Sequence, residues 1–462
     1  MRSFQLIIFA LLIQFSLSAQ NITGDWYGEV GNNTKVQFIF HLSEGEDGLI
    51  AILDIPSQNL KGIKTQKVTF EDNELYIDGK NLGFEYKGTF RPDSAHIEGK
   101  FMEGPNAVPL VLSREKFKAA KAKSRPQEPV KPYPYKEEQV VFENAKDNVS
   151  LAGTLTLPAK GDQHAVAILI TGSGPQNRDE EVYGHKTFLV LADHLTRQGI
   201  AVLRYDDRGV NESTGNFAEA TTANFATDVH SAIAYLKTRT DVDHEQIGLI
   251  GHSEGGIIAP MVAANSDDVD FMVILAGTGV SGFETNLIQA VTLRGFPVED
   301  EEAYKAFMTE VLTIASADKD VAEVRKELTA YYDQSPFFEM MAGQSPQRDQ
   351  ILKSLVEART TPWVRYFMNY NPAEMLELVE CPVLSLNGTL DLQVVADVNQ
   401  AGIKAALEKG KNKDFEIIAL EGLNHMFQTA ETGAMKEYNN IEETFDPKAL
   451  KLISDWILKR VK

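Results

Sequence analysis

The sequence holds one cysteine, Cys381, in 462 residues. A single thiol excludes an intramolecular disulfide framework and any cysteine-built zinc cage. Basic residues are also scarce relative to acid: 45 Lys and Arg face 66 Asp and Glu, a formal charge of −21. Phosphate backbones are neutralised by clustered cations, so this balance argues against nucleic acid as a partner. It equally disfavours adhesion to anionic membrane surfaces. Signatures of pyridoxal, flavin or phosphate-loop chemistry are missing, and the expectation is an activity that needs no cofactor and no metal. The apolar run at residues 6–13 is far short of the roughly 20 residues that a spanning helix needs. It follows Met1-Arg2, ends in FSLSAQ, and no further charge appears before Asp25. That layout predicts a secretory signal peptide over residues 1–19, cleaved after about Ala19. The expected location is therefore bacterial periplasm or medium, with no membrane span after cleavage.

What is present divides by rhythm. Over residues 20–115 the pattern has period two, broken by Gly, Asn and Asp turns. In KVQFIFHL, Val36, Phe38, Phe40 and Leu42 share one face. KVTFEDNELYIDG reads as a hairpin around Glu71-Asp72-Asn73, and FEYKGTFRPDSAHIEGKF as another turning at Pro92-Asp93-Ser94. Seven or eight short antiparallel strands in a small barrel or sandwich are expected. The opening GDWYGEV resembles the G-x-W start of lipocalin-like barrels, with Trp26 plugging a barrel end. Residues 116–136 carry Pro126, Pro129, Pro132 and Pro134 and seven basic residues against the one acid Glu128. Such a stretch favours extended polyproline geometry and reads as a solvated, semi-rigid linker.

From residue 137 to 462 apolar runs of strand length alternate with amphipathic helices. The runs are AVAILIT (165–171), IAVLRYD (200–206), QIGLIGH (246–252), FMVILAG (271–277), PVLSLNG (382–388) and FEIIAL (415–420). Near-continuous apolar strands separated by helices predict an α/β fold, a mostly parallel central sheet covered on both faces. Residues 277–382 break the rhythm with about a hundred mostly helical positions. Connections inside a compact domain have medians of about 4–6 residues, so an inserted helical lid is expected at about 280–378, beyond a strand's carboxyl end where such sheets bind ligands.

Gly251-His252-Ser253-Glu254-Gly255 is G-x-S-x-G between a predicted strand and a predicted helix. The chemistry requires that setting: the serine sits on a strained turn, and flanking side chains would clash with strand and helix. A nucleophilic serine needs a base, and the base an orienting acid. Asp391 falls just after PVLSLNG and His425 just after FEIIAL, on loops at the same edge of a parallel sheet as Ser253. Asp397 is the alternative acid, six residues on in a predicted helix. The oxyanion formed on attack needs preorganised donors. The Glu254 N–H is one candidate. The other is the Ser173 N–H in the Gly-rich loop after AVAILIT, with Gly174 as the alternative.

Taken together, GSGPQNRD (172–179), RYDDRGVNES (204–213), GHSEGG (251–256), GTLDLQV (388–394) and NHMF (424–427) make the domain from about Val140 onward resemble an α/β-hydrolase. It is similar to bacterial carboxylesterases close to the serine-aminopeptidase-like hydrolases. The resemblance implies Ser253, Asp391 and His425 as nucleophile, acid and base, and an acyl-enzyme mechanism on a small-molecule or glycan-linked ester. Asp206-Asp207-Arg208-Gly209 resembles the family's post-strand turn, read here as a loop tied by an Arg–carboxylate pair. Glu254 is expected to pair with Arg178 or Arg208. An aminopeptidase or prolyl-peptidase on the same machinery would need an acidic cluster for a free amine, and VEDEEAY (298–304) is its candidate. A third reading gives the N-terminal β domain a glycan-binding face of exposed aromatics such as Trp26 or Tyr27. Trp363, Tyr366, Phe367 and Tyr370 either wall an acyl pocket or form a helix's packing face.

Overall fold

The computed structural model describes residues 22–461 except 31–35, 46–47, 57–59, 80–83, 104–105, 118–124, 295, 344 and 346–347. The signal peptide expected over residues 1–19 lies outside them. Among the described residues no helix is long and apolar enough to cross a membrane. The chain divides into two compact units, Met1–Ala122 and Lys123–Lys462.

Among the described residues the first unit is an antiparallel meander of nine strands, one or two more than the turn signals suggested. They are β1 (Gly24–Val30), β2 (Val36–Gly45), β3 (Gly48–Ile55), β4 (Leu60–Lys64), β5 (Lys67–Glu71), β6 (Glu74–Gly79), β7 (Phe84–Arg91), β8 (His96–Glu103) and β9 (Asn106–Ser113). The sheet order is β4-β3-β2-β1-β9-β8-β7-β6-β5. β5 also packs against β3, so the two ends of the meander meet and the sheet is barrel-like. Both expected hairpins form. Asp72 and Asn73 take positive φ (50° and 67°), which is the backbone that a two-residue turn between twisted strands requires. Alternation along each strand turns one face inward, and that interior is filled rather than hollow. Phe40 and Tyr86 are fully buried, and the Phe84 and Phe101 rings stack at 5.1 Å. Trp26 closes the packing: its indole N–H donates to the Ile22 carbonyl at 2.8 Å, and the Arg114 guanidinium lies 3.9 Å over the ring. Trp26 is 1% and Tyr27 8% exposed. Neither lines a solvent-facing surface, which corrects the expectation of an aromatic glycan-binding face built on them. Trp26 lies in the barrel interior, while Tyr27, on the opposite face of β1, is covered by the Phe117 ring, which meets it edge-on at 5.5 Å.

The second unit is built on an eight-stranded sheet. Its strands are β10 (Lys136–Asn144), β11 (Val149–Leu157), β12 (His164–Ile170), β15 (Ala201–Tyr205), β16 (Val242–His252), β17 (Phe271–Leu275), β18 (Val383–Gly388) and β19 (Phe415–Leu420). A separate two-residue hairpin is formed by β13 (Glu181–Val182) and β14 (His185–Lys186). The order is β10-β11-β15-β12-β16-β17-β18-β19. β10 and β11 pair antiparallel, as do β11 and β15; the other neighbours pair parallel. Helices α1 (Thr187–Arg197), α2 (Thr222–Leu236) and α3 (Gly255–Ala263) precede an inserted block of seven. The block comprises α4 (Gly282–Thr292), α5 (Glu301–Ser316), α6 (Val321–Asp333), α7 (Pro336–Ala342), α8 (Arg348–Arg359), α9 (Pro362–Met368) and α10 (Ala373–Leu376). It sits between β17 and β18, where the lid was expected, and has its own apolar core around Phe307, Val311, Leu312 and Phe338. α11 (Ala396–Gly410), α12 (Met435–Tyr438) and α13 (Pro447–Leu458) complete the unit. β12, β15 and β17 are buried at every position, which explains their near-continuous apolar sequence; the charge in β15, Arg204, is paired with Asp179. This is an α/β-hydrolase architecture.

The second half of the proline-rich stretch belongs to this unit and is pinned to it. The Arg125 guanidinium donates to the carbonyls of Ile441 (2.6 Å) and Gly184 (3.1 Å). The Gln127 side chain exchanges hydrogen bonds with the backbone of Thr444 and Phe445. Tyr135 donates to Asp193 at 2.8 Å. The unit's hydrogen-bonded structure thus starts well before the expected boundary at residue 137.

Candidate active site

The strand order places the site. The chain leaves β12 for β15 on one side and then crosses to β16 on the other, so the loops following β12 and β16 diverge over a crevice. Ser253 sits in the turn between β16 and α3 with φ +52°, a left-handed conformation that costs a serine about 1–3 kcal/mol and persists only where packing imposes it. The packing here is explicit. A Cβ on Gly251 would lie 1.9 Å from the Gly255 carbonyl oxygen, and one on Gly255 2.2 Å from that of Ile170. Only hydrogen fits at either position, so both glycines of the motif are demanded by contact distance. Ser253 is partly exposed, whereas its neighbours His252 and Glu254 are buried.

Asp391, three residues past β18, is buried, and its Oδ1 accepts from the N–H groups of Gln393 and Val394, both at 2.8 Å. Its Oδ2 faces His425 Nδ1 at 2.7 Å. An ionised carboxylate only accepts, so Nδ1 carries the proton and Nε2 is left as the basic nitrogen. The alternative acid, Asp397, is exposed in the first turn of α11. The geometry therefore joins His425 to Asp391 and not to Asp397.

The loop after β12 runs through Thr171, Gly172 and Ser173. The Gly172 N–H donates to Glu180 Oε1 at 2.8 Å and is thereby occupied. The Ser173 and Glu254 N–H groups have no hydrogen-bond partner among the described residues, as oxyanion donors require. Gly174 follows with φ +93°, bending the loop. Beneath it, the Thr171 hydroxyl donates to Asp207 Oδ1 at 2.6 Å and the Gln176 N–H to Oδ2 at 2.9 Å. Burial drives the Asp207 pKa well above the usual carboxylate range despite these donors, with Glu254 and Glu180 adding to the rise. Asp207 and Glu254 line one small cavity together with Tyr205.

The expected pairing of Glu254 with Arg178 or Arg208 does not form. Arg178 is taken by Asp206 and Glu212, each at 2.6 Å, and Arg208 by Asp228 and Asp147, each at 2.8 Å. These pairs tie the loop after β15, as the turn motif suggested. Glu254 instead accepts on Oε1 from the Thr222 hydroxyl and the Trp363 indole N–H, both at 2.7 Å. Burial raises its pKa, partly offset by hydrogen bonds from Trp363, Thr222 and Ser173. A carboxylate next to the nucleophile is thus held by neutral donors, one of them from the lid.

The aromatics of α9 and of the turn after it divide into two pairs. Trp363 and Phe367 stack at 5.1 Å with Trp363 against the main core, while Tyr366 and Tyr370 stack at 6.0 Å and line an open groove with Pro362 and Arg365. The acidic run before α5 is a helix start: Asp300 caps it by accepting from the Ala303 N–H at 2.9 Å, and Glu301 pairs with Arg294. Cys381 is no rival nucleophile, since burial pushes its thiol up to about 12. Among the described residues no cluster of three or more His, Cys, Asp or Glu could hold a metal ion. Sequence reasoning passed over two site residues, His252 and Glu180. Their side chains meet at 2.8 Å across 72 positions; the signal available was only that His252 lies inside the motif.

A family model described as X-Pro dipeptidyl-peptidase (S15 family) matches residues 103–405, ending within α11 before His425. Esterase EstD of Thermotoga maritima is 23% identical over 312 residues, 67% of this chain and 66% of its own length. The match thus spans just under two thirds of that relative. An uncharacterised 31.7 kDa Escherichia coli protein of the traX-finO intergenic region is 24% identical over 238 residues, 49% of this chain and 77% of its own. Among solved structures, the alpha/beta hydrolase GrgF from Penicillium sp. sh18 covers 70% of this chain and 98% of its own at 16% identity and TM-score 0.43. The Pyrococcus furiosus esterase Pf2001 covers 71% and 93% at 14% identity and TM-score 0.42. With the family model spanning well over half of its residues, the chain belongs to the X-Pro dipeptidyl-peptidase (S15) family of α/β-fold hydrolases.

Proposed function

We propose that the protein is a serine carboxylic-ester hydrolase working through an acyl-enzyme. Ser253 attacks the ester carbonyl while His425 Nε2 takes its proton; Asp391 holds the imidazole and stabilises the cation that forms. The Ser173 and Glu254 N–H groups receive the oxyanion, each donor contributing on the order of 10²–10³ in rate. The alcohol departs with the proton from His425. Water then attacks the acyl carbon by the same route, releasing the acid and regenerating Ser253. The observation that carries this reading is the strained Ser253 (φ +52°) on the sheet edge that also bears the buried His425–Asp391 pair. Its test is turnover of p-nitrophenyl esters from acetate to decanoate by the purified chain, with Ser253→Ala alongside; equal turnover by both would refute it.

The family match favours a second reading, release of X-Pro dipeptides by the same groups. That activity needs an anionic subsite for a free amine. In the acidic run before α5, Asp300 is engaged as a helix cap and Glu301 in an ion pair, and Glu254 Oε1 already accepts from two neutral donors. Ester hydrolysis asks for no such subsite. Aminoacyl- and X-Pro-nitroanilides in parallel separate the two readings: strong anilide cleavage makes the protein a peptidase.

A further inference from the structure

Behind the catalytic groups lies a second carboxylate–histidine pair. His252, the residue before the nucleophile, is buried, as is Glu180. His252 Nδ1 lies 2.8 Å from Glu180 Oε1, and its Nε2 lies 2.9 Å from the backbone carbonyl oxygen of His425. A carbonyl can only accept, so Nε2 carries a proton. The partner of Nδ1 already accepts the Gly172 N–H at 2.8 Å. A second N–H aimed at the same oxygen favours its anionic form, and two bare lone pairs cannot face each other at that distance. Nδ1 therefore carries a proton too.

We propose that His252 is a buried imidazolium paired with Glu180 and acts as a positioning residue, tying the oxyanion loop at Gly172 and the base loop at His425 to the nucleophile turn. This inference rests on the serine-hydrolase reading above. Three loops that must hold sub-ångström register are joined by three hydrogen bonds through one charged pair. The His425 and His252 rings lie 4.9 Å apart at 44°, so a shift of one moves the other. The ionisable groups facing His252 are Glu180 from the loop after β12, His425 from the loop after β19 and Asp391 from the loop after β18. Burial alone would lower the His252 pKa, but the Glu180 charge and hydrogen bond, the His425 carbonyl and Asp391 together raise it. One carboxylate oxygen, Glu180 Oε2, is buried without a partner among the described residues. That cost is borne by a group whose other oxygen holds two donors.

The test has two arms. In the first, the full chain is labelled with [¹⁵N]histidine and its ring nitrogens are followed by NMR without substrate, His252 being assigned by its disappearance in His252→Gln. The expected result is an imidazole with both nitrogens protonated at pH 8; a neutral His252 at that pH overturns the proposal. In the second, kcat and KM are measured from pH 5.5 to 9 for the wild type and Glu180→Gln. Glutamine keeps the acceptor facing Gly172 and removes the counter-charge. A descending alkaline limb absent from the wild type should appear, with kcat at pH 8 down by roughly 10- to 100-fold, the cost typical of reacting groups misplaced by about 1 Å, and KM changed less than about threefold. Profiles of the same shape in both proteins overturn the proposal. Absence of any Ser253-dependent ester turnover in the wild type would fail the underlying reading instead, and the NMR arm would still decide the charge of His252.

Discussion

Trp363→Phe tests how the lid is joined to the nucleophile turn. The indole N–H is one of two donors to Glu254 Oε1, the other being the Thr222 hydroxyl. Phenylalanine keeps a ring able to stack on Phe367, so the main loss is one hydrogen bond to a buried carboxylate. Such bonds to charged groups contribute about 1.5–3 kcal/mol. Melting temperatures of 150–250-residue domains shift by about 2–4 °C per kcal/mol and less for larger ones; about 2 °C per kcal/mol for this unit gives a fall of about 3–6 °C. The readout is calorimetry of the full chain, following the transition of the hydrolase unit. Repeating the substitution in a Glu254→Gln background isolates the pair. There the acceptor is a neutral amide, and the cost of Trp363→Phe should shrink to about 0.5–1.5 kcal/mol. An unchanged melting temperature, or the same loss in both backgrounds, would refute the reasoning.

Three further outcomes follow from the same contacts. Asp391→Asn leaves the two backbone donors facing a group that no longer fixes the His425 tautomer, so kcat should fall by about 10⁴ with KM little changed, read by steady-state ester kinetics. Gly251→Ala puts a Cβ 1.9 Å from the Gly255 carbonyl oxygen, backbone that cannot yield; soluble yield and the hydrolase transition should collapse, and a folded, active variant would contradict the packing. Glu254 binds its proton more tightly folded than unfolded, so its contribution favours folding below the unfolded pKa near 4.5 and is lost as pH rises through the folded value. Melting curves of wild type and Glu254→Gln from pH 4.5 to 8 should therefore diverge, the variant gaining on the wild type as pH rises.

Much of the site was legible because chain order and sheet physics constrain it. Parallel strands share their carboxyl edge, so residues just after the apolar runs ending at Gly388 and Leu420 had to face the same crevice as Ser253. The glycines of the motif were legible for a steric reason that the 1.9 and 2.2 Å approaches make concrete. The hairpin β10–β11 was less visible: KEEQVVFEN alternates, with Val140 and Phe142 inward, but abuts a proline-rich stretch that masks its start. Trp26 fills the barrel as the G-x-W opening suggested; the alternative of an exposed aromatic face failed because period two says which residues share a face, not how well the outer face is covered. The partners of Glu254 were misassigned for a different reason. The cost of an unpaired buried carboxylate says that Glu254 needs partners but not which ones, and Arg178 and Arg208 are claimed by Asp206 with Glu212 and by Asp228 with Asp147. Pairs such as Glu180–His252 and Trp363–Glu254 depend on where loops land after folding, which local pattern does not encode.

The central claim, that Ser253 is an acyl-forming nucleophile, is met most directly by intact-mass spectrometry of the chain after exposure to a fluorophosphonate. One adduct per chain is predicted, mapped to the peptide bearing Ser253, absent in Ser253→Ala and strongly slowed in His425→Gln. Labelling at another residue, or of wild type and Ser253→Ala alike, would contradict it.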